Sequence, residues 1–404
     1  MTWNLWVLTL INLICYLDRY IIASASPKIE AEFALSHAQT GFFMSAFMVG
    51  YMITSPIFGN LGDRKNRPAL MGIGVLAWSL ATFASGAVST FWELIAARCI
   101  VGVGEASFAT LAPPYIRDNL KDESTINKVL GIFYTSIPVG AAIGYIWGGW
   151  MSDKMHWRYA FYLGAVPGFL LTYSMWTMKE PGHRVRQVSD APFFKTFKDL
   201  LKNSDYRYSV AAYTAQTFAL GGFSAWGPQY GVNVLNASLT ESSFKMGLVT
   251  LFSGIVGTLI GAKWGDVFLA KGSEKSGAAA VRAFSKFAGI ASMIATPFAL
   301  WMMNVSGLNE FILAFFLVQT AAFAALAPAN TAILASVPTK VAATAFAVSI
   351  FSIHAFGDVI SPPLTGLLAD HMPMAKAMLL LVFALMLSGI IWLYGARQQV
   401  LEQA

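Results

Sequence analysis

The sequence predicts an all-α membrane protein with twelve transmembrane helices in two six-helix halves and both termini in the cytoplasm. Of the 404 residues, 56% are hydrophobic and 12% charged, with a mean hydropathy of +0.58, whereas soluble proteins carry about 25% charged residues. The apolar runs reach about 20 residues, the length of a membrane-spanning helix, and the shorter alternating segments of a β-barrel do not occur. A short basic turn between two such runs fixes the orientation.

That turn is residues 59–68, Gly-Asn-Leu-Gly-Asp-Arg-Lys-Asn-Arg-Pro, between the apolar stretches 38–58 and 69–89. Two spans joined by so short a loop form a hairpin, and Lys and Arg place the loop in the cytoplasm. The remaining spans then alternate in direction. The twelve predicted spans are 3–27, 38–60, 68–89, 91–117, 127–152, 157–179, 206–234, 243–268, 280–303, 309–335, 340–369 and 375–397.

Loop charge supports this order. Of the 27 Lys and Arg residues, 20 fall in segments predicted to be cytoplasmic and five in outer loops. This bias is typical of a multi-pass protein of the plasma (inner) membrane. It also accounts for the net charge of +6, so nucleic-acid binding is disfavoured.

The longest polar stretch divides the chain into an N-terminal half (1–179), a cytoplasmic linker (180–205) and a C-terminal half (206–404). Residues 193–201 are amphipathic and predict a helix lying on the inner leaflet, the alternative being a solvated linker. Spans four and ten share Leu-Ala-Pro, at 111–113 and 326–328. Repeats of the same polarity predict a substrate site near the midplane between the halves.

Charged residues inside the spans are the main candidates for function. Each costs about 2.5–3.5 kcal/mol at mid-membrane on insertion scales. Arg98 and Glu105 are seven residues apart, hence on one face of span four, and we expect them to pair with Asp18 and Arg19 of span one. Glu105 is the first candidate for a proton carrier and Asp18 the second, while the arginines suit an anionic head group. A static salt-bridge network that pins the helices is the alternative.

His354 and Asp358 are four residues apart on span eleven, hence on one face. They are candidates for an outer gate or a second proton site, and a packing pair is the alternative. Pro362-Pro363 follows and predicts a bend.

A second charge cluster is predicted on the cytoplasmic side. Asp63 lies at the end of span two, Arg117 at the end of span four and Glu180 after span six, with Arg64 and Arg67 in the basic turn. We expect these residues to form a cytoplasmic gate. The alternative is that the basic residues only set topology.

Several motifs together resemble the Spinster family of major facilitator transporters, over nearly the whole chain. The basic turn alone resembles many facilitators, and Gly-Val-Gly-Glu-Ala-Ser at 102–107 is the most specific motif. Pro114 and Ala141-Ala142 depart from the family pattern. The other matching motifs are Tyr16-Leu17-Asp18-Arg19-Tyr20, Arg98, Ala112-Pro113, Ile137-Pro138-Val139-Gly140, His354, Gly357-Asp358 and Ser361-Pro362.

The resemblance implies the major facilitator fold and proton-coupled transport of lysophospholipids or sphingolipid phosphates. It assigns Asp18, Arg19, Arg98 and Glu105 to the head-group and proton site. An apolar cavity agrees with a lipid substrate. Candidates for its lining are the polar residues Tyr134, Gln216, Gln319 and Asn330 and the aromatic residues Phe108 and Phe316.

The sequence therefore predicts a monomeric transporter in the bilayer that works by alternating access, takes a lipid or other amphiphile, and needs no cofactor besides the coupling proton. The nearest rival is a facilitator of a small organic anion or drug. A lipid enzyme is disfavoured because the chain has no His-x-x-x-His or Gly-x-Ser-x-Gly motif, and an ATP-driven pump because it has no phosphate-binding loop. A receptor or scaffold would not need a buried charge network.

Overall fold

The computed structural model describes residues 3–120, 123–181, 193–270, 277–338 and 341–401, and the regular elements in these ranges are helices. The first half of the chain holds α1 (Trp3–Phe33), α2 (His37–Gly62), α3 (Arg67–Ala87), α4 (Phe91–Asp118), α5 (Glu123–Lys154) and α6 (Trp157–Trp176). The second half holds α7 (Phe193–Lys202), α8 (Ser204–Asn233), α9 (Leu239–Ala270), α10 (Ala278–Met302), α11 (Leu308–Ala335), α12 (Ala342–Ile353), α13 (Ser361–Ala369), α14 (Met374–Ala377) and α15 (Leu379–Leu401).

Ten helical segments among the described residues are long and apolar enough to cross a membrane. Two further helices, α6 and α8, have 20 and 30 residues but are less apolar than these ten. The positions of these helices follow the predicted spans, with shifted ends. The prediction for span one was too short, because α1 continues through Pro27 to Phe33, and span six ends at Trp176, before residue 179.

Span eleven is interrupted, and the break precedes the predicted bend. α12 ends at Ile353, a π-helical turn covers His354–Asp358, and α13 begins at Ser361. Pro362 and Pro363 fall in the first turn of α13, where proline costs no hydrogen bond. The turn that carries the charged pair, and not the prolines, is therefore the irregular part of this span.

The chain forms two compact units. Unit 1 comprises residues 1–186 and 225–251, and unit 2 comprises residues 187–224 and 252–404. The helices α8 and α9 each contribute to both units. The predicted division at 179 and 206 stays a prediction, and residues 182–192 of its linker lie outside the described residues.

Unit 1 is built from helix pairs: α1 packs on α5, α2 on α4 and α3 on α6. Glycines permit the closest of these contacts. A Cβ atom at Gly140 or Gly144 of α5 would overlap the carbonyl oxygens of Leu13 and Leu17 on α1. These glycines therefore serve close helix packing, and they hold α1 where its charged residues face α4.

Unit 2 has its own core, in which α10 packs on α11 and α15. The amphipathic segment within the predicted linker is helical, in the form of α7, and its position on the inner leaflet stays a prediction. Its Leu200 is 4% exposed and joins this core together with Tyr206 and Trp392.

Candidate functional site

The predicted charges of spans one and four meet as two ion pairs inside unit 1. Nη1 of Arg98 donates to Oδ2 of Asp18 at 3.1 Å, and Nε of Arg19 donates to Oε2 of Glu105 at 2.6 Å. Arg98 and Glu105 are 0% exposed and Asp18 is 1% exposed. The seven-residue spacing on α4 separates the two pairs by about 10 Å along the helix. The four charges sum to zero, which a dry site requires.

Aromatic rings surround the Arg19 guanidinium. Its central carbon lies 4.7 Å from the ring centre of Tyr16, 5.2 Å from that of Phe47 and 5.0 Å from that of Tyr51. Rings at this distance attract a cation through their faces. Phe47 and Tyr51 are one helical turn apart on α2, so a single face of that helix supplies both. The rings therefore stabilise the positive charge of Arg19 in apolar surroundings.

The two pairs do not use all of their hydrogen-bonding atoms. Oδ1 of Asp18, Oε1 of Glu105, and both Nε and Nη2 of Arg98 are buried without a hydrogen-bond partner among the described residues. Buried polar atoms are normally satisfied. Two free donors on one guanidinium suit an anionic oxygen group, and the two free carboxylate oxygens can each accept a proton.

The glycines of the Gly-Val-Gly-Glu stretch position this site. A Cβ at Gly102 would overlap the carbonyl oxygen of Phe47 on α2, and one at Gly104 would overlap the backbone of α3 at Gly74. Only glycine allows α4 to lie this close to both helices. The same approach brings Glu105 beside the rings of α2.

Arg67 is the centre of the cytoplasmic cluster. Its Nε donates to Oε1 of Glu180 at 2.7 Å and its Nη1 to Oδ2 of Asp118 at 2.7 Å, and the side chain is buried. Its backbone N–H also donates to Glu180, at 2.5 Å. The Tyr115 hydroxyl donates to the Lys179 carbonyl at 2.9 Å. These contacts join the start of α3, the end of α4 and the segment after α6, all within unit 1, at the side predicted to be cytoplasmic.

The predicted membership of this cluster differs from the observed one. Arg67 and Glu180 are paired, and Asp118, which is not among the predicted residues, is the second carboxylate. Asp63 is the C-cap residue of α2, Arg64 follows it in the turn, and Arg117 is exposed on the last turn of α4. The gating role of all five predicted residues stays a prediction.

Comparisons with known proteins identify the family. The sequence profile of the Major Facilitator Superfamily matches residues 8–349. A protein of Arabidopsis thaliana named "Probable sphingolipid transporter spinster homolog 3" is 32% identical over 97% of this chain and 84% of its own length.

The chain belongs to the Spinster family.

Other relatives and a solved structure agree. The protein of Xenopus tropicalis named "Sphingosine-1-phosphate transporter SPNS2" is 29% identical over 96% of this chain and 80% of its own length. The crystal structure of a bacterial homologue of the human lysosomal transporter Spinster, inward-facing and unoccupied, superposes with a TM-score of 0.83. It is 19% identical, with 98% of this chain and 97% of that chain covered. This chain is accordingly a multi-pass membrane transporter with the major facilitator fold, and not an enzyme.

In this Spinster-family chain the second charged pair lies on the irregular turn of span eleven. Nδ1 of His354 is 3.0 Å from both carboxylate oxygens of Asp358, and the two side chains are 22% and 21% exposed. A Cβ at Gly221 of α8 would overlap the Cβ of Asp358. The pair is therefore packed against α8 inside unit 2, and neither proposed role for it is tested by this geometry.

The six predicted cavity residues divide by environment. Phe108 is completely buried in the core of unit 1, against Trp78 and Phe133. Core residues enclose its side chain in this structure, and its role in lining a cavity stays a prediction. Tyr134 is 47% exposed and Phe316 is partly exposed.

The three amides lie on α8 and α11 of unit 2. Nε2 of Gln216 donates to the Ala322 carbonyl at 3.0 Å, and its Oε1 is buried without a hydrogen-bond partner among the described residues. Gln319 accepts from Ser253 at 3.0 Å, and Nδ2 of Asn330 donates to the Leu326 carbonyl at 3.1 Å. Gln216 alone of the three keeps a buried acceptor available.

The structure also shows a polar cluster in unit 1 that the sequence does not predict. Glu30 accepts from Nε2 of Gln229 at 2.8 Å and lies 3.1 Å from Nδ1 of His37. The Ser26 hydroxyl donates to Oε1 of Gln229 at 3.1 Å, and the Trp226 ring lies edge-on to His37 at 6.0 Å. Acidic and amide residues near span ends are too common to signal such a cluster, and only the fold brings residue 229 to α1.

Proposed function

We propose that this chain is a proton-coupled secondary transporter of a lysophospholipid or sphingolipid-like amphiphile in the plasma (inner) membrane, working by alternating access. The observation that carries the proposal is the buried pair of ion pairs Asp18–Arg98 and Glu105–Arg19 with unused hydrogen-bonding atoms on three of the four residues. The names of two relatives, a sphingolipid transporter and a sphingosine-1-phosphate transporter, support the sphingolipid-like part of this substrate class.

Charge balance suggests how proton and head group are coupled. The four side chains are neutral together, and a net charge in a dry site is costly. A proton on Glu105 would release Arg19 and leave one positive charge in excess. An anionic phosphate would then restore neutrality at the free donors of Arg98. Proton binding and head-group binding would therefore favour each other.

The cytoplasmic network of Arg67, Asp118 and Glu180 supports a role in the transport cycle. All three residues belong to unit 1, so the network braces the cytoplasmic ends of its helices. We propose that this network keeps the helix ends of unit 1 rigid while the cavity opens and closes.

The membrane potential can supply the free energy for transport against a gradient, because one charge crossing 100 mV is worth about 2.3 kcal/mol.

The test is transport of a labelled lysophospholipid by proteoliposomes with and without a pH gradient, for the wild type and Glu105→Gln. The matched control is Glu93→Gln, since Glu93 caps the exposed start of the same helix and glutamine preserves a capping box. We expect gradient-driven transport in the wild type and the control but not in Glu105→Gln.

The other outcomes distinguish the alternatives. Lipid transport that ignores both the gradient and Glu105→Gln would make the network a static brace and would overturn the coupling. A correctly folded wild type that moves no lipid, but does move small organic anions, would overturn the substrate class and leave the transporter fold.

A further inference from the structure

An apolar groove lies on unit 2, apart from the charged site. It has a volume of about 700 Å³ and is bounded by α8, α12 and α15, with α7 at one end. Its walls are almost entirely apolar, and the side chains at its rim are exposed: Phe356 by 61%, Phe383 by 55% and Leu201 by 48%. The volume lies within the range of small-ligand sites, about 300–1,000 Å³.

The groove has the length of one membrane leaflet. Along α8 it runs from Arg207 to Phe218, which is about 16 Å at 1.5 Å per residue. That is roughly half of the ~30 Å hydrocarbon core. Neighbouring α15 runs antiparallel alongside, since the Ser388 hydroxyl donates to the Ala212 carbonyl at 2.7 Å and the ring of Tyr394 contacts Tyr208.

Charged residues gather at the end closed by α7. Arg207 lines the groove and is exposed, and Lys198 and Lys202 are exposed on α7. Asp199 and Asp205 lie among them, so the five groups carry one net positive charge. Arg207 forms no ion pair with the described residues, and its planar guanidinium suits a phosphate diester.

We propose that this groove is a binding site for an anionic phospholipid of the bilayer, with one acyl chain along α8 and the phosphate on Arg207. The predicted orientation makes this the inner leaflet. Three features point to a resident lipid. The groove opens to the surroundings, it has one leaflet's depth, and Arg207, at the end closed by α7, is the only charged residue among the described residues that line it. The residues that line the groove belong to unit 2, whereas Arg98 belongs to unit 1.

The lipid would also contact the irregular turn of span eleven. Phe356 lies in the π-helical turn between His354 and Asp358 and forms part of the groove wall. An acyl chain in the groove would pack against this exposed ring. Lipid occupancy would therefore steady the turn that carries the charged pair.

The experiment is native mass spectrometry of the purified full chain with dioleoyl phosphatidylglycerol or dioleoyl phosphatidylethanolamine added. The variants are Ala211→Trp, which fills the groove from an exposed position, and Arg207→Gln. The control for Ala211→Trp is Ile390→Trp, at a 47% exposed position of α15 that does not line the groove. The control for Arg207→Gln is Arg397→Gln, at an exposed position near the C-terminal end of α15.

We expect the wild type and both controls to retain one phosphatidylglycerol in preference to phosphatidylethanolamine. Ala211→Trp should lose the lipid, and Arg207→Gln should bind phosphatidylglycerol about tenfold more weakly, as expected for loss of a charged hydrogen bond. Equal retention in all variants that elute as folded monodisperse protein would overturn the proposal.

Displacement, retention and transport measurements together distinguish this site from the proposed function. A resident lipid predicts that labelled lysophospholipid does not displace phosphatidylglycerol from the groove and that Glu105→Gln still retains it. Displacement by the lysophospholipid would show a substrate subsite and overturn a resident lipid. Failure of lipid transport by the wild type would leave the binding result unaffected.

Discussion

At the scale of single residues, the Asp18–Arg98 pair decides between a functional and a structural interpretation of the charge network. Both side chains are enclosed, and Arg98 keeps two donors without partners among the described residues. A buried ion pair is weak evidence for stability, since its desolvation can outweigh its attraction. If the pair existed only to hold helices together, apolar residues would serve as well.

A charge-removal series tests this. Asp18→Asn keeps the shape but leaves Arg98 as an uncompensated buried charge, so we expect a loss of about 3–5 kcal/mol in the free energy of unfolding. The double variant Asp18→Leu with Arg98→Met removes both charges and should recover most of that loss. Thermal unfolding in detergent measures the stability and proteoliposomes measure transport.

The double variant is the informative one. We expect it to be stable but inactive, because the head group would lose the free donors of the Arg98 guanidinium. A stable double variant that transports at the wild-type rate would show that the pair is only a structural brace.

At the scale of helices, close packing around α4 sets the site geometry. Gly102 contacts the backbone of α2 at Phe47 and Tyr51, the two residues whose rings flank Arg19. A side chain at 102 must push α2 away and carry these rings with it. The position of the two rings beside Arg19 therefore depends on Gly102, a residue that bears no functional group.

Gly102→Ala should lower both the unfolding temperature and the transport rate. Gly131→Ala on α5 is the matched control, since nothing lies within 4 Å of its added Cβ. Alanine there should be neutral or stabilise the helix by up to about 1 kcal/mol. Equal unfolding temperatures for the two variants would contradict the packing argument.

The sequence predicts the charged part of the site better than its aromatic part. Asp18, Arg19, Arg98 and Glu105 are conspicuous because charges in a membrane helix are costly. Phe47 and Tyr51 are not, because the chain has 30 Phe and 14 Tyr residues and most positions in a membrane helix tolerate them. Burial against lipid, core or cavity depends on tertiary packing, which is why the sequence does not reveal that Phe108 lies in the core.

At helix ends, too, the sequence reveals only some of the residues that form contacts. Arg67 and Glu180 were predictable from the basic turn and the end of span six, whereas Asp118 resembled an ordinary residue at a helix end. The π-helical turn at His354–Asp358 was missed, since prolines are the usual signal for a bend and here they follow the irregular turn.

At the scale of the whole molecule, the division into units cuts across the linear order of the chain. Residues 225–251, the end of α8 and the start of α9, belong to unit 1. The contacts of Gln229 with Glu30 and Ser26 hold this segment on α1, and the Thr240 hydroxyl donates to Asp153 on α5 at 2.6 Å. If the two units followed the linear order of the chain, this segment would belong to unit 2 together with the rest of α8 and α9.

Weakening this attachment should loosen the segment without unfolding either unit. Gln229→Leu removes the amide that bonds Glu30 and Ser26 while keeping a side chain of similar size, and Gln229 is 0% exposed. We expect faster amide hydrogen exchange in peptides from residues 225–251 and little change around α3 or α10, because local opening depends on local contacts. Glu241→Gln is the control, since Glu241 pairs with Lys245 on the exposed face of the same segment. Uniformly faster exchange across the chain would indicate general destabilisation, and unchanged exchange in residues 225–251 would show that the Glu30 cluster does not hold the segment.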